Sequence, residues 1–354
     1  MTLQKRIETF KKLGTFINEF LIAFKNNEAF DESGQFYKLN KAIETSEISN
    51  PWFTKSNTIL SLENITKQLS AENLTRWISS YNMAETNKNP KKIGVVMAGN
   101  IPLVGFHDFI CVLISGNIFV GKLSSKDNIL LKCIASIISE LSPSIEQNII
   151  FEENILKDFD AIIATGSNNS SMYFEHYFKN VPNIIRKNRN SVAILDGEEN
   201  IEDIMKLGED IFTYFGLGCR NISKIYLPED YDLTLIFNAL EHFSSLLDHN
   251  KYVNNYTYNQ TLYLMKGVKF YDNGFALMIQ ENNISSPISV VHYEYYKNIR
   301  NLYGILESNN SQIQCVATNI GGFDKSVKLG NTQKPELWDY SDDIDTIKFL
   351  NSLN

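Results

Sequence analysis

One cysteine in this chain stands where a thiol could do chemistry. Gly216-Leu217-Gly218-Cys219-Arg220-Asn221 places Cys219 between a segment of helical periodicity and one of strand character. Upstream, Ile201 to Phe212 repeats apolar residues at helical spacing behind Asn200, a residue type suited to capping a helix. Downstream, Ile222 to Leu227 reads as a strand closed by Pro228. The two glycines permit a tight reversal and close backbone approach. A thiol on such a turn beside Arg220 suits a nucleophile, because a neighbouring cation favours the thiolate. A lone cysteine is more often a small buried hydrophobe, so the reading turns on the rest of the chain. Arg220 and Asn221 fit either of two roles, as partners of Cys219 or as hydrogen bonders where the strand begins.

Three further segments lie at the ends of expected strands. They are Ala98-Gly99-Asn100-Ile101-Pro102-Leu103, the run from Gly116 through Lys122 to Ser125, and Ala164-Thr165-Gly166-Ser167. Singly each is a weak signal, since Gly and Asn commonly mark turns. Asn100 on its own could simply bond its own backbone, and Lys122 could be a solvated strand-end lysine. His107 and Asp108 could open a helix, with Asp108 favoured by the helix N-terminus, or act as a proton-donor pair. Neither a Gly-x-Gly-x-x-Gly fingerprint nor a P-loop is present, so the pattern of elements names no cofactor.

The elements that must hold these residues alternate. Residues 1 to about 90 are helical and amphipathic, with Phe10, Leu13, Phe16, Ile17, Phe20, Leu21 and Phe24 on one face. A polar joint at 86–92 precedes short buried strands at Gly94–Met97, Ile118–Val120, Asn148–Phe151, Ala161–Ala164 and Val192–Leu195, with a helix over Asn128–Leu141. The apolar run from Ile93 to Val120 is broken by Asn100, Pro102, Gly105, Gly116 and Asn117, so it reads as buried α/β core and not as a membrane span. This rhythm predicts a mostly parallel sheet with helical crossovers, and nucleotide sites in such sheets sit at the carboxyl ends of strands.

Composition sets outer bounds. The 354 residues are 43% hydrophobic and 21% charged, as in ordinary globular proteins. A formal charge of −8 argues against nucleic acid as a partner. Cys111, Cys133, Cys219 and Cys315 lie far apart and five histidines are scattered, which gives no metal-ligand spacing. The amphipathic start carries no apolar signal core, and the expectation is a cytoplasmic protein with reduced thiols and no transmembrane segment.

Taken in order, the four segments resemble the aldehyde dehydrogenase superfamily. The family's Asn-x-Pro-Leu turn is similar to Asn100-Ile101-Pro102-Leu103, its Gly-Asn-x-x-Val-x-Lys-Pro-Ser-Glu strand to Gly116–Ser125, its Thr-Gly-Ser turn to Thr165-Gly166-Ser167, and its Gly-x-x-Cys segment to Gly216–Cys219. Within the superfamily the nearest resemblance is to bacterial fatty acyl-CoA reductases of the luminescence (LuxC) type, on Gly105–Asp108, Tyr214–Asn221 and Leu337-Trp338-Asp339-Tyr340. It covers roughly residues 90 to 350.

The resemblance implies an α/β fold of aldehyde dehydrogenase type. A helical extension (1–90) would pack on a Rossmann-type, mostly parallel dinucleotide-binding domain (91–196). A second α/β catalytic domain (197–320) would carry Cys219, and a C-terminal tail (321–354) would return to the main body or to a subunit neighbour. It implies an oxidoreductase, an acylating aldehyde dehydrogenase type of acyl-CoA reductase. Cys219 would attack a fatty acyl thioester, and the Asn100 amide with the Cys219 backbone N–H would hold the oxyanion. Lys122, Ser124, Ser125, Thr165, Gly166 and Ser167 would bind a nicotinamide cofactor. An acyl-CoA or acyl-carrier thioester, an acyl-transfer enzyme and further copies of the chain are the implied partners.

Two departures sharpen this. The family's Glu-Leu-Gly-Gly-Lys segment, whose glutamate activates hydrolytic water, is replaced by Ile185-Arg186-Lys187-Asn188-Arg189-Asn190-Ser191, with no carboxylate. That favours thioester reduction over oxidation to acid. Ser125 stands where the family's glutamate repels a 2′-phosphate, and Lys126 beside it could attract one or simply be solvated, so NADPH is the expected cofactor. The family's Glu-Phe-Gly-Pro segment is replaced by Ser285-Ser286-Pro287-Ile288. Two rival functions stay on the page: a Cys219-dependent acyltransferase or thioesterase without hydride transfer, and a non-catalytic acyl-pathway partner.

Overall fold

Phe10, Leu13, Phe16, Ile17, Phe20 and Leu21 recur at helical spacing, and helix α1 (Leu3–Lys25) buries all six. In the computed structural model, which describes residues 1–353, the chain divides into two compact units. One comprises residues 1–187 with the segment from Glu336 onward, the other residues 188–335.

In the first unit, α1 is followed by α2 (Gln35–Ser49), α3 (Lys55–Gln68) and α4 (Ala71–Ser79). Thr2, Thr54 and Ser70 cap α1, α3 and α4, each side-chain oxygen accepting a backbone N–H of the first turn. There follow β1 (Lys92–Val96), α5 (Phe106–Ile114), β2 (Ile118–Lys122), α6 (Leu130–Leu141), β3 (Ile149–Phe151), β4 (Ala161–Thr165), α7 (Asn168–Tyr177) and β5 (Asn183–Arg186). The five strands form a parallel sheet in the order β3-β2-β1-β4-β5. α5 buries Phe106 and every residue from Asp108 to Ile114, which accounts for the apolar run read from Ile93 to Val120. The N-terminal helices share one hydrophobic core with this sheet.

The second unit holds β6 (Asn190–Ile194), α8 (Ile201–Phe212), β7 (Ile222–Pro228), α9 (Leu233–Leu240), α10 (Asn250–Met265), β8 (Tyr271–Asp272), β9 (Leu277–Gln280), β10 (Val290–Tyr296), α11 (Ile299–Ser308), β11 (Ile313–Ala317) and β12 (Ser326–Val327). Its sheet runs β12-β11-β6-β7-β10-β9-β8, parallel except at the β8–β9 edge. Asn200 and Asp203 complete a capping box at the start of α8, where the sequence places a cap.

Two expected boundaries move. The strand near Val192–Leu195 exists as β6 but belongs to the second sheet, where Val192 pairs with Lys224 of β7 and Val316 of β11. The division therefore falls between residues 187 and 188, not at 196. The expected tail from 321 is also not one piece. Residues 321–335 stay with the second unit, while the segment from Glu336, with α12 (Thr346–Asn351), packs in the first. Leu337, Ile347 and Leu350 are fully buried in the first unit's core, which anchors that return.

Candidate active site

The turn that carries Cys219 begins where α8 ends. Tyr214, Phe215 and Gly216 follow with φ of 54°, 58° and 75°, three consecutive left-handed residues. For a non-glycine residue that conformation costs about 1–2 kcal/mol, so packing must impose it. Tyr214 and Phe215 are buried, and the Phe215 ring lies 4.2 Å from the His249 ring. Phe212, Tyr214 and Phe215 are thus core residues.

Asn221 fixes the turn from inside. Its amide donates to the carbonyls of Asp210, Ile211 and Thr213 at 3.1, 3.2 and 2.8 Å. Its side-chain oxygen accepts the Gly218 N–H at 2.8 Å. One buried side chain therefore satisfies the carbonyls left open at the end of α8 and closes the loop one residue before Cys219. Arg220 donates through Nε to the Thr332 carbonyl at 2.6 Å. The Asp210 carboxylate accepts from the Gly330 N–H, the Thr332 N–H and the Thr332 hydroxyl at 2.7, 3.0 and 2.7 Å. Burial pushes the Asp210 carboxyl up, and these three donors pull it back. Ser191 donates to the Cys219 carbonyl at 3.0 Å and lies 3.1 Å from the Cys315 sulfur. A cavity of about 30 Å³ is lined by Phe215, Gly216, Tyr252, Ser286, Pro287 and Ile288 among others, so the segment from Ser286 borders this turn.

In the first unit, the segments after β1, β2 and β4 emerge together at the carboxyl ends of neighbouring strands. β2 lies on one side of β1 and β4 on the other, so the strand order reverses between β1 and β4. A crevice at such a switch point is where open α/β sheets bind ligands. Asn100, half-buried, follows β1, and Thr165 ends β4 with Gly166 and Ser167 directly after it. A Cβ on Gly99 would stand 2.6 Å from Ser124 Oγ, so glycine is required for the β1 and β2 loops to meet. Gly166 is equally constrained, by Ser170 and Phe174 of α7. Ser167 caps α7, whose first-turn N–H groups form the type of site that takes a phosphate. Lys122 Nζ donates to the Glu153 carbonyl, and Ser125 and Lys126 are exposed on the turn after β2. These hydroxyls, amides and cations fit a dinucleotide.

His107 and Asp108 hold the tertiary structure. Arg186 reaches both Asp108 oxygens, at 2.5 and 2.9 Å, and Thr346 Oγ1 at 3.0 Å. His107 Nε2 bonds the Leu337 carbonyl at 2.9 Å, and burial pulls its pKa below the ordinary value. Asp108, Arg186 and His107 thus tie α5 and β5 to the C-terminal segment. The stretch that lacks the family's glutamate carries, in Arg186, an arginine spent on a structural ion pair.

Sequence reading missed Asp210, Ser191 and Thr332. The available signal for Asp210 was an aspartate bordering the apolar stripe of α8. Among the described residues no group of three or more His, Cys, Asp or Glu could hold a metal ion, and no helix is long and apolar enough to cross a membrane.

Solved structures similar to this fold include several aldehyde dehydrogenases. A mutant from Bacillus cereus aligns with a TM-score of 0.63 and 12% identity, over 92% of this chain and 78% of its own. Indole-3-acetaldehyde dehydrogenase of P. syringae, solved with NAD+ and IAA, gives 0.62 and 12%, over 92% and 74%. A Mycobacterium tuberculosis aldehyde dehydrogenase complexed with NAD+ gives 0.61 and 14%, over 92% and 79%. No curated protein matches the chain. The family model of the acyl-CoA reductase LuxC matches residues 62–250. That match spans more than half of the sequence, and the chain belongs to the LuxC family of acyl-CoA reductases, built on an aldehyde dehydrogenase fold.

Proposed function

We propose that this protein reduces a long-chain fatty acyl thioester, with acyl-CoA as the first choice, to the fatty aldehyde at the expense of NADPH and through an acyl-Cys219 intermediate. The observation that carries the reading is the buried polar scaffold of Asn221, Asp210 and Ser191 around the Cys219 turn. A cysteine that merely fills space needs no such support.

The Cys219 sulfur attacks the thioester carbonyl carbon, and the carbonyl electron pair moves to oxygen. The Asn100 amide and the Cys219 N–H donate to that oxyanion. The pair returns, the bond to the carrier sulfur breaks, and the carrier leaves as a thiol once it takes a proton. Lys122, Ser124, Ser125, Thr165, Gly166 and Ser167 hold the cofactor. A reduced nicotinamide, when bound, would supply the hydride to the acyl carbon; as the electron pair on oxygen re-forms the carbonyl, the bond to the Cys219 sulfur breaks, and aldehyde leaves with the Cys219 thiolate restored. NAD+ in solved relatives of the fold supports a nicotinamide. Ser125 with Lys126, both exposed and neither acidic, supports NADPH within that class. The stretch Ile185–Ser191, which replaces the family's glutamate segment, contains no carboxylate to activate water, and the nearby Asp108 carboxylate is buried against Arg186; both support reduction.

The test is nicotinamide turnover with tetradecanoyl-CoA, run with NADPH and with NADH, for the wild type and Cys219→Ala. Aldehyde formed with NADPH in preference to NADH, and abolished by Cys219→Ala, is the expected result. Aldehyde production by Cys219→Ala at the wild-type rate would refute the assignment.

A further inference from the structure

One peptide plane in the loop after β1 is gripped from both sides. The carbonyl of Pro102 accepts the Ser61 hydroxyl of α3 at 2.9 Å. The N–H of Leu103, in the same peptide unit, donates to Asp127 Oδ2 at 3.0 Å. Leu103 is 4% exposed and left-handed, with φ of 58°. Left to itself, a leucine would rarely adopt that conformation. Rotation of this peptide would break both bonds at once. The clamped peptide begins two residues after Asn100, so holding it restricts the path of the loop that carries Asn100.

Asp127 sits on the loop after β2, beyond Ser124, Ser125 and Lys126, and its own N–H donates to the Ser124 carbonyl at 3.1 Å. Its carboxylate also accepts the Leu130 N–H at the start of α6, while its Oδ1 is buried without a hydrogen-bond partner. A carboxylate in that position is poorly solvated, and burial pushes its pKa up to about 6. An amide could accept the same N–H without desolvating a charge. What the ionised group adds is a stronger, charge-assisted hold on that donor.

We propose that Asp127 and Ser61 are positioning residues for the reaction, a two-sided clamp on the Pro102–Leu103 peptide that sets the Asn100 loop in the geometry that receives the oxyanion. This rests on the reading of Asn100 as an oxyanion donor for acylation of Cys219. Through Asp127 the clamp also joins the Asn100 loop to the loop assigned to the cofactor. Misplacing a catalytic donor by about 1 Å can slow a reaction on the order of 100-fold. Loss of either side of the clamp acts on the same peptide, so the two losses are not independent.

The experiment measures single-turnover acylation of Cys219 by tetradecanoyl-CoA without cofactor, using quenched intact-mass spectrometry. The proteins are the full-length wild type, Asp127→Ala, Asp127→Asn, Ser61→Ala and the Ser61→Ala/Asp127→Ala double variant. Alkylation of Cys219 by iodoacetamide, read on its peptide, reports thiol reactivity that needs no oxyanion hole. The clamp predicts acylation slowed about 10-fold to 100-fold in the alanine variants and less in Asp127→Asn. It predicts a double variant close to the slower single one, and unchanged alkylation throughout. Asp127→Asn is the variant that should keep the fold intact, with a melting temperature at or above wild type at pH 7.5. Wild-type acylation rates in all the variants, acylation and alkylation falling in step, or strictly multiplicative effects in the double variant would overturn the clamp. Failure of the wild type to acylate at all would overturn the reading of Cys219 on which the clamp stands.

Discussion

Ser191 places its hydroxyl 3.0 Å from the carbonyl oxygen of Cys219, so the proposed nucleophile's own peptide is tied to β6 of the second sheet. Ser191 is fully buried and also accepts the Cys315 N–H at 3.2 Å. The cysteine turn is thereby anchored to two strands, and Asn221 anchors it to the end of α8. Loop residues gain a fixed geometry only through bonds of this kind.

Asn221→Ala removes four hydrogen bonds, three of them buried, and strands carbonyls at the end of α8. At about 1–3 kcal/mol per orphaned buried group, partly relieved by water, the expected loss of stability is about 3 kcal/mol. Chemical denaturation should show it, and acylation of Cys219 should fall at least 100-fold, a loss typical of removed transition-state geometry. Ser191→Ala removes the bond to the Cys219 carbonyl and the acceptor of the Cys315 N–H, and a loss of about 1–3 kcal/mol with a smaller drop in activity than for Asn221→Ala is expected.

Gly216→Ala isolates backbone conformation from crowding. The added Cβ would meet only the Ile211 carbonyl oxygen, at an ordinary 3.4 Å, yet φ is +75°. A cost of about 1 kcal/mol is therefore expected from strain alone, seen as a lowered denaturation midpoint with an unchanged slope.

Asp108→Ala leaves Arg186 charged and buried. Breaking a buried pair by removing one partner costs about 3–5 kcal/mol, far more than the pair contributes net. The segment from Glu336 is held by Arg186 through Thr346 and by the adjacent His107 through the Leu337 carbonyl. Limited proteolysis should accordingly cut the variant within residues 336–353 well before the wild type.

Ser125→Glu restores an acidic side chain where NADPH would place its phosphate. The ratio of kcat/KM for NADPH over NADH should fall about 10-fold to 100-fold, equivalent to about 1.4–2.8 kcal/mol. An unchanged ratio would separate Ser125 from cofactor choice.

His107 and His292 set an acid limit on stability. Burial pulls both below the ordinary value of 6.5, and the Asp108 charge and the Asn283 carbonyl respectively pull them partly back. The folded chain then holds fewer protons than the unfolded one at mildly acidic pH. Stability must drop as pH falls below about 6.5, by at most about 1.4 kcal/mol per pH unit for each histidine. Asp127 works the other way. Its raised pKa contributes stability that is full below about 4 and lost as pH rises through about 6. Urea titrations from pH 7 to 5 should show a decline that is flattened in a His107→Asn/His292→Asn variant.

Local chemistry made much of this legible in sequence. Asn200 ahead of an apolar stripe marked α8, and Pro228 marked the end of β7, both of which follow from neighbours on the chain. The strand around Val192 was visible, but an apolar run does not say which sheet accepts it; register with β7 and β11 decides that. Asp108 and Arg186 are 78 positions apart, and Asp210 and Thr332 are 122 apart, so no local pattern pairs them. Nothing in the sequence around Asp127 sets it apart from any polar turn residue. Its role depends on a peptide 24 positions upstream.

The most direct test of the central claim is to trap the intermediate and then consume it. The protein is mixed with tetradecanoyl-CoA alone, its intact mass is read, and NADPH is then added while tetradecanal is followed. The account predicts one tetradecanoyl group, located on Cys219, that persists without cofactor and leaves as aldehyde when NADPH arrives. An adduct on another residue, or one released as free acid with no aldehyde, would contradict it.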